Sequence, residues 1–274
     1  MASDTLTIRP NSGWLALDLR SLWNARELLY FLTWRDIKVR YKQTTLGIAW
    51  AVVQPLLLMF ALSIFFGRLA QVPSDGLPYS IFVFTALLPW QLFAGALNQS
   101  SNSLVANERL ISKVYFPRLV IPLAAMLSGL VDFAISFLFL CILLFFYGIT
   151  PTGAFWSVPL FVLFALLTAL AVGLWLSALN VKYRDVKYII SFLTQIWLFM
   201  SPVAYSSNLV PEAWRWFYAL NPMVGVIDGF RWALLGKSQG PGIELGVSVT
   251  VVSILLVGGL YYFRRMERTF ADVV

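Results

Sequence analysis

Six stretches of this chain are each long and apolar enough to require lipid as a neighbour. They run over approximately 46–67, 78–98, 119–147, 157–180, 188–206 and 243–263. A helix needs about 20 apolar residues to cross a hydrocarbon core roughly 30 Å thick. Membrane-crossing strands are nearer ten residues and alternate in polarity, which these runs do not. The expected fold class is therefore all-α, with six transmembrane helices. Composition agrees: 59% of the residues are hydrophobic and 12% charged, whereas a soluble domain carries about a quarter charged residues. That leaves too little charge to cover a water-facing surface.

Orientation follows from the cations, because lysine and arginine accumulate on the cytoplasmic side. With the N-terminus inside, the inner segments hold 16 of the 20 cations and the outer ones 4, namely Arg68, Arg215, Arg231 and Lys237. Both termini are expected in the cytoplasm. The expected organisation is one transmembrane domain over 1–274. Residues 1–45 form a cytoplasmic segment, 46–263 the six-helix region and 264–274 a tail. Residues 1–20 lack the apolar core of a cleavable signal peptide, so the run from Leu46 is expected to remain as an anchor. The net charge of +7 is spread along one membrane face, which suits anionic lipid and gives no nucleic-acid domain.

Two segments outside the runs have patterns of their own. In 22–42, Trp34, Ile37 and Tyr41 recur at helical spacing, with Arg35, Lys38 and Lys42 on a neighbouring face. This predicts a helix lying in the interface, aromatics at the headgroups and cations near phosphates; an ordinary cytoplasmic helix has the same spacing. In 207–242, Val210–Leu220 and Pro222–Leu235 are too short to span. Pro211 with Glu212, and Asn221 before Pro222, are helix-start signals. Short re-entrant helices between spans 5 and 6 are expected, with a surface loop as the other reading. Ala165, Ala169, Gly173 and Ser177, at every fourth position of the fourth run, form a close-packing face.

Few residues can carry bond chemistry. The chain has no histidine and one cysteine, Cys141, which excludes an internal disulfide and the commonest metal ligand and general base. Gly236-Lys237-Ser238 has the ending of a phosphate-binding loop, but the glycine required five positions earlier is Arg231. Any ATP used must then sit on another chain. Asp132 is the one acid deep in a run, with Ser128 and Ser136 four residues either side. It is either a pathway residue or a polar contact between helices.

Trp50 and Gln54 share a face of the first run with Gly47. Thr194, Trp197, Ser201 and Tyr205 share one on the fifth, beside Gln195 and Phe199. Aromatic faces with scattered hydroxyls and amides suit sugar rings, and equally suit packing and interface belts. The 99–118 loop carries Asn107, Glu108, Arg109, Leu110 and Lys113 in a short helix with apolar and charged faces, suited to a groove on a partner. Lys182, Arg184, Asp185 and Lys187 can extend that surface.

Several ordered segments carry a family resemblance. They are Arg40-Tyr41-Lys42-Gln43-Thr44 with Leu46-Gly47, Trp50 and Pro55; then Leu110 to Arg118; then Asn180 with Arg184-Asp185-Val186. Ser201-Pro202 with Tyr205, Asn221-Pro222 and Phe270-Ala271-Asp272 complete the set. In these the chain resembles the permease subunits of ABC-type exporters of bacterial surface polysaccharides such as O-antigen, teichoic acid and capsule. The resemblance implies a homodimer of six-span subunits in the inner membrane, with two copies of a cytoplasmic ATPase that binds ATP and Mg. It implies a coupling helix in 99–118 and an aromatic-lined channel for a lipid-linked polysaccharide, with no cofactor in this chain. A polytopic enzyme acting on lipid-linked sugars is the rival; it wants convergent catalytic groups that this chain lacks. An ion-coupled carrier wants inverted repeats or more buried ionisable groups.

Overall fold

A computed structural model describes residues 19–42, 47–183, 185–236, 240, 242–267 and 270. Arg184, Lys237, Ser238 and the segments 43–46 and 271–274, all used in the readings above, lie outside those residues. The described chain is all-helical. Its helices are α1 (Leu19–Asn24), α2 (Arg26–Tyr41), α3 (Ala49–Leu62), α4 (Tyr79–Ala106), α5 (Glu108–Lys113) and α6 (Val120–Phe146). Then come α7 (Val158–Lys182), α8 (Val186–Met200), α9 (Arg215–Tyr218), α10 (Pro222–Leu235) and α11 (Ile243–Glu267).

Among the described residues, five helical stretches are long and apolar enough to cross a membrane: Ala49–Leu69, Tyr79–Ala106, Val120–Phe146, Gly153–Lys182 and Ile243–Glu267. The first joins α3 to a widened π turn, Ser63–Leu69. Prolines 55 and 89 sit inside α3 and α4, as membrane helices tolerate when neighbours and local adjustments satisfy the freed carbonyls. The fifth expected run differs. Helix α8 has 15 residues, about 22 Å at 1.5 Å per residue. It stops because Ser201, extended at φ −105° and ψ 151°, precedes Pro202, and a residue before proline is pushed out of the helical region. The chain then continues as a buried turn over 201–204. Helix α4 runs eight residues past the expected end of its run, so the connection to α6 is shorter than 99–118.

The segment between α8 and α11 also departs from expectation. Val210–Leu220 is not one helix but a 3₁₀ turn, Glu212–Trp214, and a single turn, α9. Pro222–Leu235 is a helix as read. The Asn221 side chain accepts from the Met223 amide, Pro222 takes the first turn, and Gly236 closes the helix at φ 67°. That left-handed angle costs glycine nothing.

Helices α4 and α7 form the centre. In the most apolar 18 residues of each, 78% and 61% are buried, against 11–17% in α3, α6 and α11. The small-residue face is the reason α4 and α7 approach closely. Ala165, Ala169 and Ser177 are wholly buried, and a Cβ on Gly173 would lie 2.3 Å from Ser100 Oγ. Helix α11 covers the other side of α7, with Gly258 and Gly259 under the Trp175 indole. That indole donates to the Leu255 carbonyl at 3.0 Å and stacks on Tyr262 at 5.0 Å.

The helix ends gather at two poles. At the near pole Asn180 Nδ2 donates to the Ser101 carbonyl and Asn102 Oδ1. There too the Arg118 amide donates to Glu267 Oε1 at 3.1 Å, and Arg35 reaches Asn107. At the far pole Tyr79 donates to the Ala204 carbonyl, Ser206 to Asp75, and Thr152 to the Ala233 carbonyl. Ser248 donates there to the Ala219 carbonyl.

Candidate functional site

A cavity of about 560 Å³ opens between the end of α2 and helices α3, α4 and α6. Trp50 and Gln54 line it, as does Gly47, alongside Gln91, Gln99 and Ser136. Trp50 is half exposed. Two of the expected lining residues therefore meet in one place, on a wall that carries the amides of Gln54, Gln91 and Gln99 and the Trp50 indole. Such a wall offers donors, acceptors and a ring face to a hydroxylated ligand.

The lining residues expected from α8 are placed elsewhere. Trp197 packs edge-on against Phe93 with ring centres 4.9 Å apart, and its Nε1 donates to Asn221 Oδ1 at 2.8 Å. Ser201 is buried, donates to the Trp197 carbonyl and accepts from Asn221 Nδ2 at 3.0 Å. Thr194 bonds carbonyls of its own helix. Tyr205 donates to the Phe199 carbonyl and accepts from Tyr218 at 2.9 Å. This face of α8 ties the helix to α4 and to the cap of α10. The opposite face leaves Phe192, Ile196 and Phe199 exposed, with Gln195 beside them.

Asp132 forms one corner of the cavity, and its partners were not legible from the serines alone. Arg40 bonds Asp132 Oδ2, and Tyr41 donates to Asp132 Oδ1. Arg40 also reaches Gln99 Oε1 and, at 3.2 Å, Ser128 Oγ, which itself donates to Gln99 at 2.9 Å. Burial, and then the bond to Asp132, push the Tyr41 phenol above its ordinary pKa, so it stays a donor. Ser136, the other serine of that face, bonds the Ala51 carbonyl of α3. The signal available in sequence was the imbalance: a lone membrane acid asks for a cation, and Arg40 lies just before the first run.

The short helix α5 stands at the near pole. Ile111 is its buried anchor, and Leu110 packs partly against the core. Glu108, Arg109 and Lys113 are exposed. Asn107 precedes the helix, donating to the Ser103 carbonyl and accepting from Arg35 Nη2, both at 2.8 Å. Val114 and Tyr115 follow it exposed.

Arg231, in the sequence only an outer-side cation, is a second polar centre. It is 3% exposed. Its two Nη groups donate to the Tyr205 and Val203 carbonyls at 3.2 and 3.0 Å, and its guanidinium lies 3.6 Å over the Phe82 ring. Asp228 stands 4.0 Å away on the same helix. The gap where a glycine cradle would need its first glycine is filled by this clasp.

Long apolar helices, a cavity among them with amide, hydroxyl and charged groups in its wall, and a half-exposed short helix at one pole mark a polytopic membrane protein. The chain belongs to the ABC-2 type transporter membrane family, matching it over residues 27–235. It is 30% identical over 249 residues to the O-antigen export system permease protein RfbA of Klebsiella pneumoniae, covering 90% of this chain and 95% of that one. The RfbA protein of Myxococcus xanthus is 30% identical over 261 residues, or 93% and 98% of the two chains. The polysialic acid transport protein KpsM of Escherichia coli is 22% identical over 241 residues, 85% and 91% of the chains.

Proposed function

We propose that this chain is the membrane subunit of an ATP-driven exporter that moves a lipid-linked polysaccharide outward across the bacterial inner membrane. The observation that carries the reading is end-to-end similarity: relatives named as O-antigen export permeases match 90% or more of the chain. Hydrolysis of ATP, with Mg, takes place on a separate cytoplasmic ATPase present in two copies, and the chain works as a homodimer. It crosses the membrane six times, with α8 and the turn after it as the fifth crossing and both termini inside. The described residues of 207–242, with α9 and α10 among them, dip into the outer leaflet from the far pole, and α2 lies in the inner interface.

Three features support the layout. The described cations Arg35, Lys38, Arg109, Lys113 and Arg118 fall on α2, α5 and the start of α6, as the inner-side excess of cations requires. The exposed faces of α3 (Leu57, Phe60) and α8 (Phe192, Phe199) suit a second copy. A pathway between two copies would bring the cavity at Trp50 and Gln54 to one wall. The exposed charges of α5 suit a groove on the ATPase. Closure of the ATPases then moves α5, and the motion repacks the helices around the pathway.

Glu108→Arg or Arg109→Glu reverses one exposed charge on α5 without touching Ile111. Purified with its ATPase in vesicles, either variant is expected to keep its assembly and lose most export, at least tenfold. Export at the normal rate would remove α5 from the coupling role.

A further inference from the structure

We infer that Asp132 is a positioning residue that clamps α2 to the cavity wall, making α2 the link between the docking helix and the cavity. The inference rests on the permease reading and assigns that reading a moving part. Two contacts on one helix carry it. Arg35 of α2 donates to Asn107, the residue that opens α5. Five residues on, about 7.5 Å along the helix axis, Arg40 and Tyr41 close on both oxygens of Asp132. Arg40 adds Gln99 of α4 and Ser128 of α6. One rigid rod thus touches the partner-facing loop at its middle and two cavity helices at its end.

The apolar contacts that seat α2 differ in kind from the polar cluster at its end. Leu32 is buried, and Leu28 and Leu29 pack against the core; such apolar contacts are non-directional and fix no register. The Arg40–Tyr41–Asp132 cluster is directional, with three elements meeting at one carboxylate and one guanidinium. Both charged side chains stay partly open to the cavity, 28% and 33% exposed, and Tyr41, Gln99 and Ser128 hold the pair in one geometry. The clamp is therefore either made or broken, and a displacement of α2 is delivered to α4 and α6 at the cavity. Tyr30, Phe31, Trp34 and Val39 face outward, leaving that side of α2 free to slide along lipid.

The test uses the full chain with its ATPase in vesicles, in a Cys141→Ser background. In Asp132→Asn, ATP hydrolysis and the yield of folded complex are expected to hold within twofold. Glycan exported per ATP is expected to fall at least tenfold, and Tyr41→Phe to fall less. A nitroxide placed at Val39→Cys is expected to gain mobility in Asp132→Asn, with or without glycan. An unchanged export ratio, or a parallel loss of folding, hydrolysis and export, would overturn the clamp. Should the unsubstituted complex export no glycan while the label still loosens, the permease reading fails and the clamp stands.

Discussion

At Gly229, α10 comes close against α7. A Cβ there would sit 2.2 Å from Phe161 Cε1, and Phe161 is 2% exposed, so the ring has nowhere to go. Gly229→Ala should cost about 1–3 kcal/mol, the usual range for overpacking. It should show as a lower melting midpoint in detergent, and Phe161→Leu in the same chain should recover part of the loss. Next to it, burial pushes the Asp228 carboxyl up to about 6, with the Arg231 charge and a Ser207 hydrogen bond opposing. Its folded-state value lies above the ordinary 3.8. Its contribution to stability is therefore complete below about pH 4 and is lost as pH rises through about 6. The melting midpoint of the native chain should fall between pH 5 and 7.5 more than that of Asp228→Asn; equal slopes would contradict the assignment.

At the scale of elements, what hydropathy could and could not reveal separates cleanly. The bounds of α6 and α7 were legible because each is written locally in an apolar run, and the start of α10 because it is written in Asn221-Pro222. The close face of α7 was legible because Ala165, Ala169, Gly173 and Ser177 recur with the helix period. The end of α8 was misplaced because apolarity continues through 201–204 while Ser201-Pro202 breaks the helix. Trp197 and Ser201 were legible as one face because they recur at helical spacing, but that the face meets Phe93 and Asn221 comes only from packing. Arg40 and Asp132, 92 positions apart, meet only through the packing of α2 on α6. Arg231 is the clearest case: as a charge it counted toward the outer side, yet it joins the turn after α8 to α10 and α4. Lysine lacks the planar fork that spans two carbonyls and stacks on Phe82. Arg231→Lys should lower the melting midpoint by several degrees and raise cysteine reactivity at Val203→Cys. An unchanged reactivity would show the turn to be held by other contacts.

For the whole molecule, the parity of crossings decides which pole faces which side. Helix α7 ends at the near pole, where Asn180 meets Ser101, and α11 begins at the far pole, where Ser248 meets Ala219. The chain between them must traverse the molecule once, and α8 with the turn after it is what lies between. Its 15 residues cover about 22 Å; the turn to Ser206, bonded to Asp75, supplies the rest. If α8 crosses, the count is even, and α5 shares a side with Glu267 at the end of α11, in keeping with the Arg118–Glu267 bond. If α8 instead lay on one surface, the count would be odd and that bond would have to join opposite sides of a membrane. Cys141 is the chain's single cysteine, so Cys141→Ser gives a background free of thiols. In it, Lys113→Cys should react with a membrane-impermeant maleimide only in inside-out vesicles, and Glu212→Cys only in right-side-out ones. Reaction of both from the same side would remove α8 as a crossing and, with it, the placement of α5 opposite the far pole.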